Sequence, residues 1–524
     1  MLIKGDEYKD FYVIDVTDVK DYKSTGIWLR HKKTGLEVFH LLNNEEENLF
    51  SFCFRTPVDN SKGTPHIIEH STLTGYEKYD LKEPYTTLYS KTVISFLNAM
   101  TYPDKTCYPG ASTIESEYFK MMDVYADAVF FPRLSEDTFN QEGHRFELDE
   151  EGNVSVQGVV YNEMKGNYSN FGSVVFHCMS SALFPNTAYD KDSGGDPLEI
   201  MKLTYKEFTD FHKKYYSPQN CLLYLNGNIP TEKQLDFISE NYIDRLQTKY
   251  NLTTDLSDYK ATLPPVYPEI TEMEKIVPLE KSRVCRFKAP KAGMEGNTYC
   301  LTWYSGKPAM DKWFLSNILC GSGPASITKR LDESHLGDSN WSGTVNEYPE
   351  EFFVFGLLGV KPENEQKVKK LILDAIDEIK DMEISKDEID GSIMNIEFNL
   401  KEIKRDWGPY ALNVMDNVMK GWGYGKEPTN QLTPFQAFEE VKAKALSDKN
   451  YVNSLIKKYL CKDYEIEIAV EPSDDFLEER NKKEAEAIKE AEKTLDKEAL
   501  KKDRDRLHEY QNKEDTKEEL DKIP

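Results

Sequence analysis

His66-Ile67-Ile68-Glu69-His70 places two imidazoles and a carboxylate within a single turn of helix. Histidines at i and i+4 project from the same helical face, so both rings reach one ion at a zinc–nitrogen distance of about 2.0 to 2.1 Å. Glu69 follows His66 by three residues and borders that face, near enough to touch water at the ion without ligating it. Zinc lowers the pKa of its bound water to about 7, and a neighbouring carboxylate then takes the proton as the water attacks a carbonyl carbon. Glu69 is therefore the candidate general base. The flanking residues predict a helix, with Thr64 as N-cap, Pro65 at the first helical position and Gly75 as a stop.

A bare five-residue pattern also falls on solvated helices that hold nothing, and catalytic zinc requires a third protein ligand beside one open position. Outside the motif the histidines are His31, His40, His144, His177, His212, His335 and His508, none with a partner at ligand spacing. A carboxylate is the better expectation, although most of the 92 acidic residues must be ordinary solvated ones.

With further segments the chain resembles a known family, the inverted zinc metallopeptidases of the pitrilysin and insulinase superfamily, and within it the presequence protease branch. The resemblance runs through Gly5-Asp6, Phe54-Arg55-Thr56-Pro57, the metal helix and the run Ser95-Phe96-Leu97-Asn98-Ala99-Met100-Thr101-Tyr102-Pro103-Asp104. It continues in Gln141-Glu142-Gly143, in Gly158 to Gly166 and in Asp192-Ser193-Gly194-Gly195-Asp196-Pro197. The resemblance implies one zinc ion held by His66, His70 and Glu163, with Glu69 as base. It also implies that Asn98, Ala99 and Met100 form an edge strand to which an extended peptide adds as a further strand, backbone pairing giving affinity without demanding a sequence. Phe96 and Met100 can serve the core as well, because alternate residues of a strand face opposite sides. The insulysin-like branch carries a second carboxylate seven residues before the third ligand; Val156 stands there in this chain. Thr74 stands where presequence proteases usually have a cysteine.

The 524 residues exceed one core and imply two to four domains, and 39% apolar with 12% aromatic residues suffice to build them. A net charge of -26 argues against nucleic acid, whose phosphates require clustered Lys and Arg. Eight scattered cysteines without a C-x-x-C pair read as reduced thiols. No signal core, transit segment or long apolar run appears, so no membrane partner is expected and the protein is expected in the cytoplasm, or in an organelle only if a targeting segment has been removed.

The expected fold class is α+β. Residues 1–255 alternate strand-like runs (Phe11 to Val16, Leu222 to Gly227) with helices such as Glu115 to Phe131, and form the expected catalytic domain. Pro264, Pro265 and Pro268 mark a connector over 256–280. A second domain, 281–472, has strand-like Tyr299 to Tyr304 and Tyr464 to Val470, helices Val368 to Lys380 and Lys386 to Lys404, and no histidine pair. Its Gly321-Ser322-Gly323-Pro324 lacks the Gly-Lys-Ser/Thr of a phosphate loop and reads as a turn before a helix. Residues 473–524 are rich in Glu, Lys, Asp and Arg, which suits exposed helices laced with i,i+4 ion pairs.

By the resemblance both domains are similar, mainly antiparallel sheets with helices packed on one face, and 473–524 is the helical hairpin that joins two halves of a clamshell. The implied function is that of a zinc metalloendopeptidase degrading unstructured, presequence-like peptides, represented by its N-terminal half and partnered by a C-terminal half that donates basic and aromatic groups to the substrate carbonyl. The alternative is a non-catalytic peptide-binding or processing-peptidase-like subunit that needs a partner chain.

Overall fold

The computed structural model describes residues 2–149, 151–252, 282–345, 350–461, 464–512 and 514–523. The connector expected over 256–280 lies outside the described residues, as does Lys281. Strands of the first unit are β1 (Glu7–Tyr8), β2 (Phe11–Val19), β3 (Ser24–His31), β4 (Glu37–Leu42), β5 (Asn48–Arg55), β6 (Phe96–Leu97), β7 (Met100–Thr101), β8 (Lys105–Ser112), β9 (Arg145–Leu148), β10 (Val154–Gln157) and β11 (Cys221–Gly227). The second unit contributes β12 (Arg283–Pro290), β13 (Asn297–Gly306), β14 (Ser339–Asn340), β15 (Gly343–Val345), β16 (Glu351–Val360) and β17 (Ile466–Ser473). The helices that shape the site and the joint between units are α1 (Thr64–Thr72), α2 (Glu115–Phe130), α3 (Glu136–Glu142), α4 (Val159–Asn167), α5 (Phe171–Leu183), α6 (Met310–Leu319), α7 (Glu365–Ile379), α8 (Lys386–Lys401), α9 (Tyr410–Trp422), α10 (Phe476–Glu492) and α11 (Lys497–Asn512).

The first sheet runs β1-β2-β3-β4-β11-β5-β8-β6, with β7 also on β8, and the second runs β12-β17-β13-β16-β14, with β15 also on β16. In each, one parallel pair (β4 with β11, β12 with β17) is followed by antiparallel neighbours. The second sheet thus repeats the β4-to-β6 part of the first, and the fold is α+β with mainly antiparallel sheets.

Strand alternation sorts side chains onto two faces. On β5, Phe50, Phe52 and Phe54 join one core, where α2 brings Tyr118, Met121, Tyr125 and Phe130 against them. Leu49 and Cys53 point the other way, with Phe39, Leu41, Leu222 and Tyr224, into a separate cluster. That opposite face is covered by a helix of the other unit: α9 lays Val414, Met415, Val418, Met419 and Trp422 on it. The exchange is reciprocal. The second sheet packs Leu301, Trp303, Phe353 and Phe355 against its own α7 and α8. Its other face, with Cys300, Phe352, Val354 and Ile468, shares a core with Met179 and Leu183 of α5 from the first unit.

Among the described residues His31, His40, His144 and His212 are buried, and burial lowers the pKa of each. Burial pushes His31 down to about 4, and His40 and His212 down to about 3. His40 Nδ1 lies 2.8 Å from Thr231 Oγ1, and His212 Nε2 donates to Val129 O at 3.0 Å. A depressed folded value means that the unfolded chain binds the extra proton first. The stability these rings contribute is whole above the unfolded value of about 6.5 and is lost as pH falls from there towards the folded values. Urea unfolding at pH 7.5 and pH 5 should show a loss on the order of 2 kcal/mol per ring at the lower pH, and His40→Gln should shrink that difference. An unfolding midpoint indifferent to pH over this range would contradict it.

Candidate metal centre and peptide edge

Helix α1 begins one residue earlier than the capping residues suggest: Gly63 is the N-cap, in the left-handed region at φ 67°, and Thr64 and Pro65 are already helical. The reason is a close approach. A Cβ on Gly63 would sit 2.7 Å from Gly194 O and 3.0 Å from Gly195 Cα, so the backbone of the 192–196 loop touches the helix start directly.

That loop carries a function of its own. Gly194 O accepts a hydrogen bond from His66 Nδ1 at 3.1 Å. A carbonyl is only an acceptor, so Nδ1 carries a proton, and Nε2 is the nitrogen of the neutral ring left to bind a cation. His70 Nδ1 likewise faces Glu142 Oε2 at 3.4 Å, and the Glu142 side chain, at the end of α3, is only 8% exposed. The two rings meet edge to face with centroids 4.9 Å apart. Glu163, on α4, closes the group, with Oε2 3.6 Å from His66 Nε2 and 3.8 Å from His70 Nε2. Donor atoms of His66, His70 and Glu163 all lie within 4.8 Å of one another.

The donor set fits a tetrahedral ion. Two ligands bound at about 2.0 to 2.1 Å stand about 3.3 Å apart, so the observed separations close onto one ion with small side-chain shifts. Charge agrees with geometry. Burial lowers the pKa of His70, but the Glu142 hydrogen bond and the charges of Glu69, Glu142 and Glu163 outweigh it and leave the ring above its ordinary value. Three carboxylates around two imidazoles form a negative pocket that a cation offsets. Outer hydrogen bonds to both rings are the arrangement that orients ligating histidines.

Glu69 is turned towards the sheet edge: its Oε2 accepts from Thr101 Oγ1 of β7 at 2.6 Å. The edge strand expected over Asn98 to Met100 is split into β6 and β7. Both halves keep the same register on β8, with Leu97 opposite Gly110 and Met100 opposite Cys107. Asn98 and Ala99 fall opposite Pro109 and Tyr108, and proline has no N–H to give the ladder. Asn98 N still reaches Pro109 O at 3.2 Å. Among the described residues no strand pairs with the outer side of β6 or β7. Asn98 is exposed, Ala99 is buried, and Met100 and Phe96 pack partly against the cluster under α9. A cavity of about 870 Å³ opens beside this edge, lined by Asn98, Met100, Met164, Tyr168, Phe176 and Trp407 among others.

Sequence reasoning missed Glu142 and Gly194 as partners of the rings. Val156, the position that carries an acid in the insulysin-like branch, is a buried residue of β10. Both missed residues lie in segments that carried the resemblance, Gln141-Glu142-Gly143 and Asp192 to Pro197, which was the available signal. In the second unit Gly321 to Pro324 is a turn between α6 and the helix Ile327–Ser334, as read from the sequence.

Known proteins share this architecture. Residues 202–396 match the family model described as the peptidase M16 inactive domain, a stretch that excludes His66, His70 and Glu163. The chain is 35% identical, over 98% of its length, to an uncharacterised protein of Borreliella burgdorferi. It is 33% identical, over 88% of its length, to presequence protease 1, chloroplastic/mitochondrial, of Arabidopsis thaliana. It covers 52% and 43% of those two proteins, so it spans about half the length of the relatives it matches. A solved protease from Helicobacter pylori aligns with a TM-score of 0.60 at 17% identity, covering 86% of this chain and 100% of that one, a likeness of fold.

Fold and likenesses together define the class, the paired α+β units of peptidase relatives. The chain belongs to the peptidase M16 superfamily, which is pitrilysin- and insulinase-like, and to its presequence protease branch.

The contact between Gly63 and the 192–196 loop makes a test. Gly63→Ala should lower stability by about 1 to 3 kcal/mol, since it combines strain at positive φ with a backbone clash. Gly166→Ala on α4, where an added Cβ meets nothing within 4 Å, should be neutral or stabilising by about 0.5 to 1 kcal/mol. Thermal unfolding of both variants checks the pair; equal effects would show that the close approach is unimportant.

Proposed function

We propose that the chain is the metal-bearing N-terminal half of a zinc metalloendopeptidase that cleaves unstructured peptides and works with a C-terminal half. The observation that carries this reading is the convergence of His66, His70 and Glu163 beside Glu69 and an unpaired sheet edge. The similarity to presequence proteases supports a peptide substrate, and half-length coverage of those relatives supports a second half.

His66 Nε2, His70 Nε2 and Glu163 would hold a zinc ion, which would supply Lewis acidity towards a scissile carbonyl and acidify a bound water. Glu69 would act as general base, taking a proton from the nucleophilic water and giving it to the leaving amine. Thr101 holds the Glu69 carboxylate and belongs to the edge strand itself, so base and substrate backbone are set by one element. An extended peptide pairs along Asn98, Ala99 and Met100, with alternate side chains towards the cavity. The eight cysteines, all free thiols, suit the reducing cytoplasm. Among the described residues no helix is long and apolar enough to cross a membrane.

The second reading, a peptide-binding subunit without chemistry of its own, is favoured by the exposure of Glu163, whose side chain is 47% accessible. Digestion of an unstructured peptide of about 20 to 60 residues, with and without a second-half polypeptide, under zinc and under chelator, separates the two. Zinc-dependent cleavage supports the peptidase; binding without cleavage in every condition supports the alternative.

Two substitutions dissect the site. Glu69→Gln should retain zinc and lower cleavage by about 10² to 10⁴-fold, and full turnover by this variant would remove Glu69 as base. Glu142→Ala should weaken zinc binding by about 10 to 100-fold, read by competition with a chromophoric chelator. Unchanged affinity would show that the His70 contact is incidental.

A further inference from the structure

The contacts that orient the candidate metal donors are themselves held from outside, by the C-terminal helices. On α10 one face carries Phe476, Arg480, Glu484, Ala487 and Ile488 against the first unit, while Lys482 and Lys483 face solvent. Arg480 makes a two-pronged ion pair with Asp196, and its guanidinium lies 4.2 Å over the Tyr168 ring. Asp196 ends the loop whose Gly194 O holds His66 Nδ1, and its own N–H donates to Ser61 O at 2.8 Å beside the start of α1. One turn further on, Glu484 accepts from Tyr161 Oη and from Lys165 Nζ, the latter at 2.9 and 3.0 Å. Tyr161 and Lys165 lie two residues either side of Glu163 on α4. The Arg480–Asp196 pair is partly buried, with side-chain exposures of 19% and 23%, and so is less screened than a surface bridge, whereas Lys165 is 43% exposed and the Tyr161 hydroxyl supplies the part-buried contact to Glu484.

The next helix repeats the pattern. Leu500 and Leu507 seat α11 in the core, and Arg506 pairs with Asp137 of α3 at 3.0 Å. Helix α3 ends in Glu142, the partner of His70. The segment holding each donor side chain or its outer partner, apart from α1 itself, is thus tied to one hairpin.

We propose that this helical hairpin is a brace that sets the metal affinity of the site, with Arg480 and Glu484 as positioning residues. The inference rests on the reading of His66, His70 and Glu163 as zinc donors. Arg480 fixes the 192–196 loop and so the His66 ring; Glu484 fixes the register of α4 and so Glu163. Neither touches the donors.

The test measures the zinc dissociation constant of the full chain by chelator competition, with unfolding temperature recorded with and without zinc. Arg480→Ala combined with Glu484→Ala should weaken zinc binding about tenfold, by analogy with loss of outer contacts at metal sites. Arg480→Lys with Glu484→Gln should recover much of the loss, and Lys483→Ala on the solvent face should have no effect. A merely structural hairpin would lower the unfolding temperature of metal-free and metal-loaded protein alike and leave the dissociation constant unchanged, which overturns the proposal. Should the double alanine variant fail to fold, Tyr161→Phe, which removes only the hydroxyl that Glu484 accepts, decides alone: weaker zinc binding supports the brace and wild-type affinity overturns it. If the wild-type chain binds zinc no better than a His66→Ala variant, the reading of the site itself falls, and the brace with it.

Discussion

The structure depends on an exchange of helices between two sheets. A sheet whose strands are apolar on both faces cannot leave one of them wet, and in each unit the helices of that unit cover only one face. Helix α9 covers the other face of the first sheet and α5 the other face of the second. Burying a large apolar side chain contributes about 1.5 to 3 kcal/mol, so Val414, Met415, Val418, Met419 and Trp422 together supply on the order of 10 kcal/mol of gross driving force. The polar groups at this joint have a different task. Trp422 Nε1 donates to buried Glu37 at 3.1 Å, Arg30 pairs with the same carboxylate at 3.0 Å, and Arg55 donates to Trp422 O at 2.7 Å while stacking on its ring. A buried ion pair gives little net stability, but it is costly to break and so selects one register of α9 over its neighbours.

The same exchange places the cavity. It lies where α5 of one unit and the approach to α9 from the other flank the sheet edge, so residues as distant as Asn98, Phe176 and Trp407 share its wall. The first sheet alone would offer an edge and the histidine helix but no cavity wall opposite them. The second unit therefore takes part in the site without presenting a His/Glu donor group of its own among the described residues.

What was legible in the sequence follows the range of each interaction. The candidate donors His66 and His70 and the candidate base Glu69 are set by one turn of helix, a local matter, and the strands at Phe11, Leu222 and Tyr299 are set by period-two patterning, also local. Glu163 was legible only through the family resemblance, because its immediate surroundings are those of an ordinary exposed glutamate. The partners of the rings, Glu142 and Gly194, sit 72 and 128 positions from the histidines they orient, and no spacing rule connects them. The capping of α1 was misread for a related reason: Thr64 is a good N-cap, but packing of Gly63 on Gly194 decides the helix start. The break between β6 and β7 was readable in principle from Pro109, had its position opposite the edge strand been known.

In the second unit the helix that follows the corresponding strand is α6, and its third residue is Lys312 where α1 has His66. Lys312 is buried against Glu351 at the start of β16, Nζ to Oε2 at 3.4 Å with each side chain 3% exposed. Burial pushes Glu351 up to about 7 and lowers Lys312, each against the pull of the other's charge. A lysine at this position supplies no imidazole donor, and the charges of Asp311 and Glu350 act on it together with that of Glu351. In the first unit the equivalent helix presents His66 and His70 to the carboxylates of Glu142 and Glu163. Two units of similar topology therefore differ in what a single helix presents, imidazoles facing carboxylates in the first and an amine facing a carboxylate in the second.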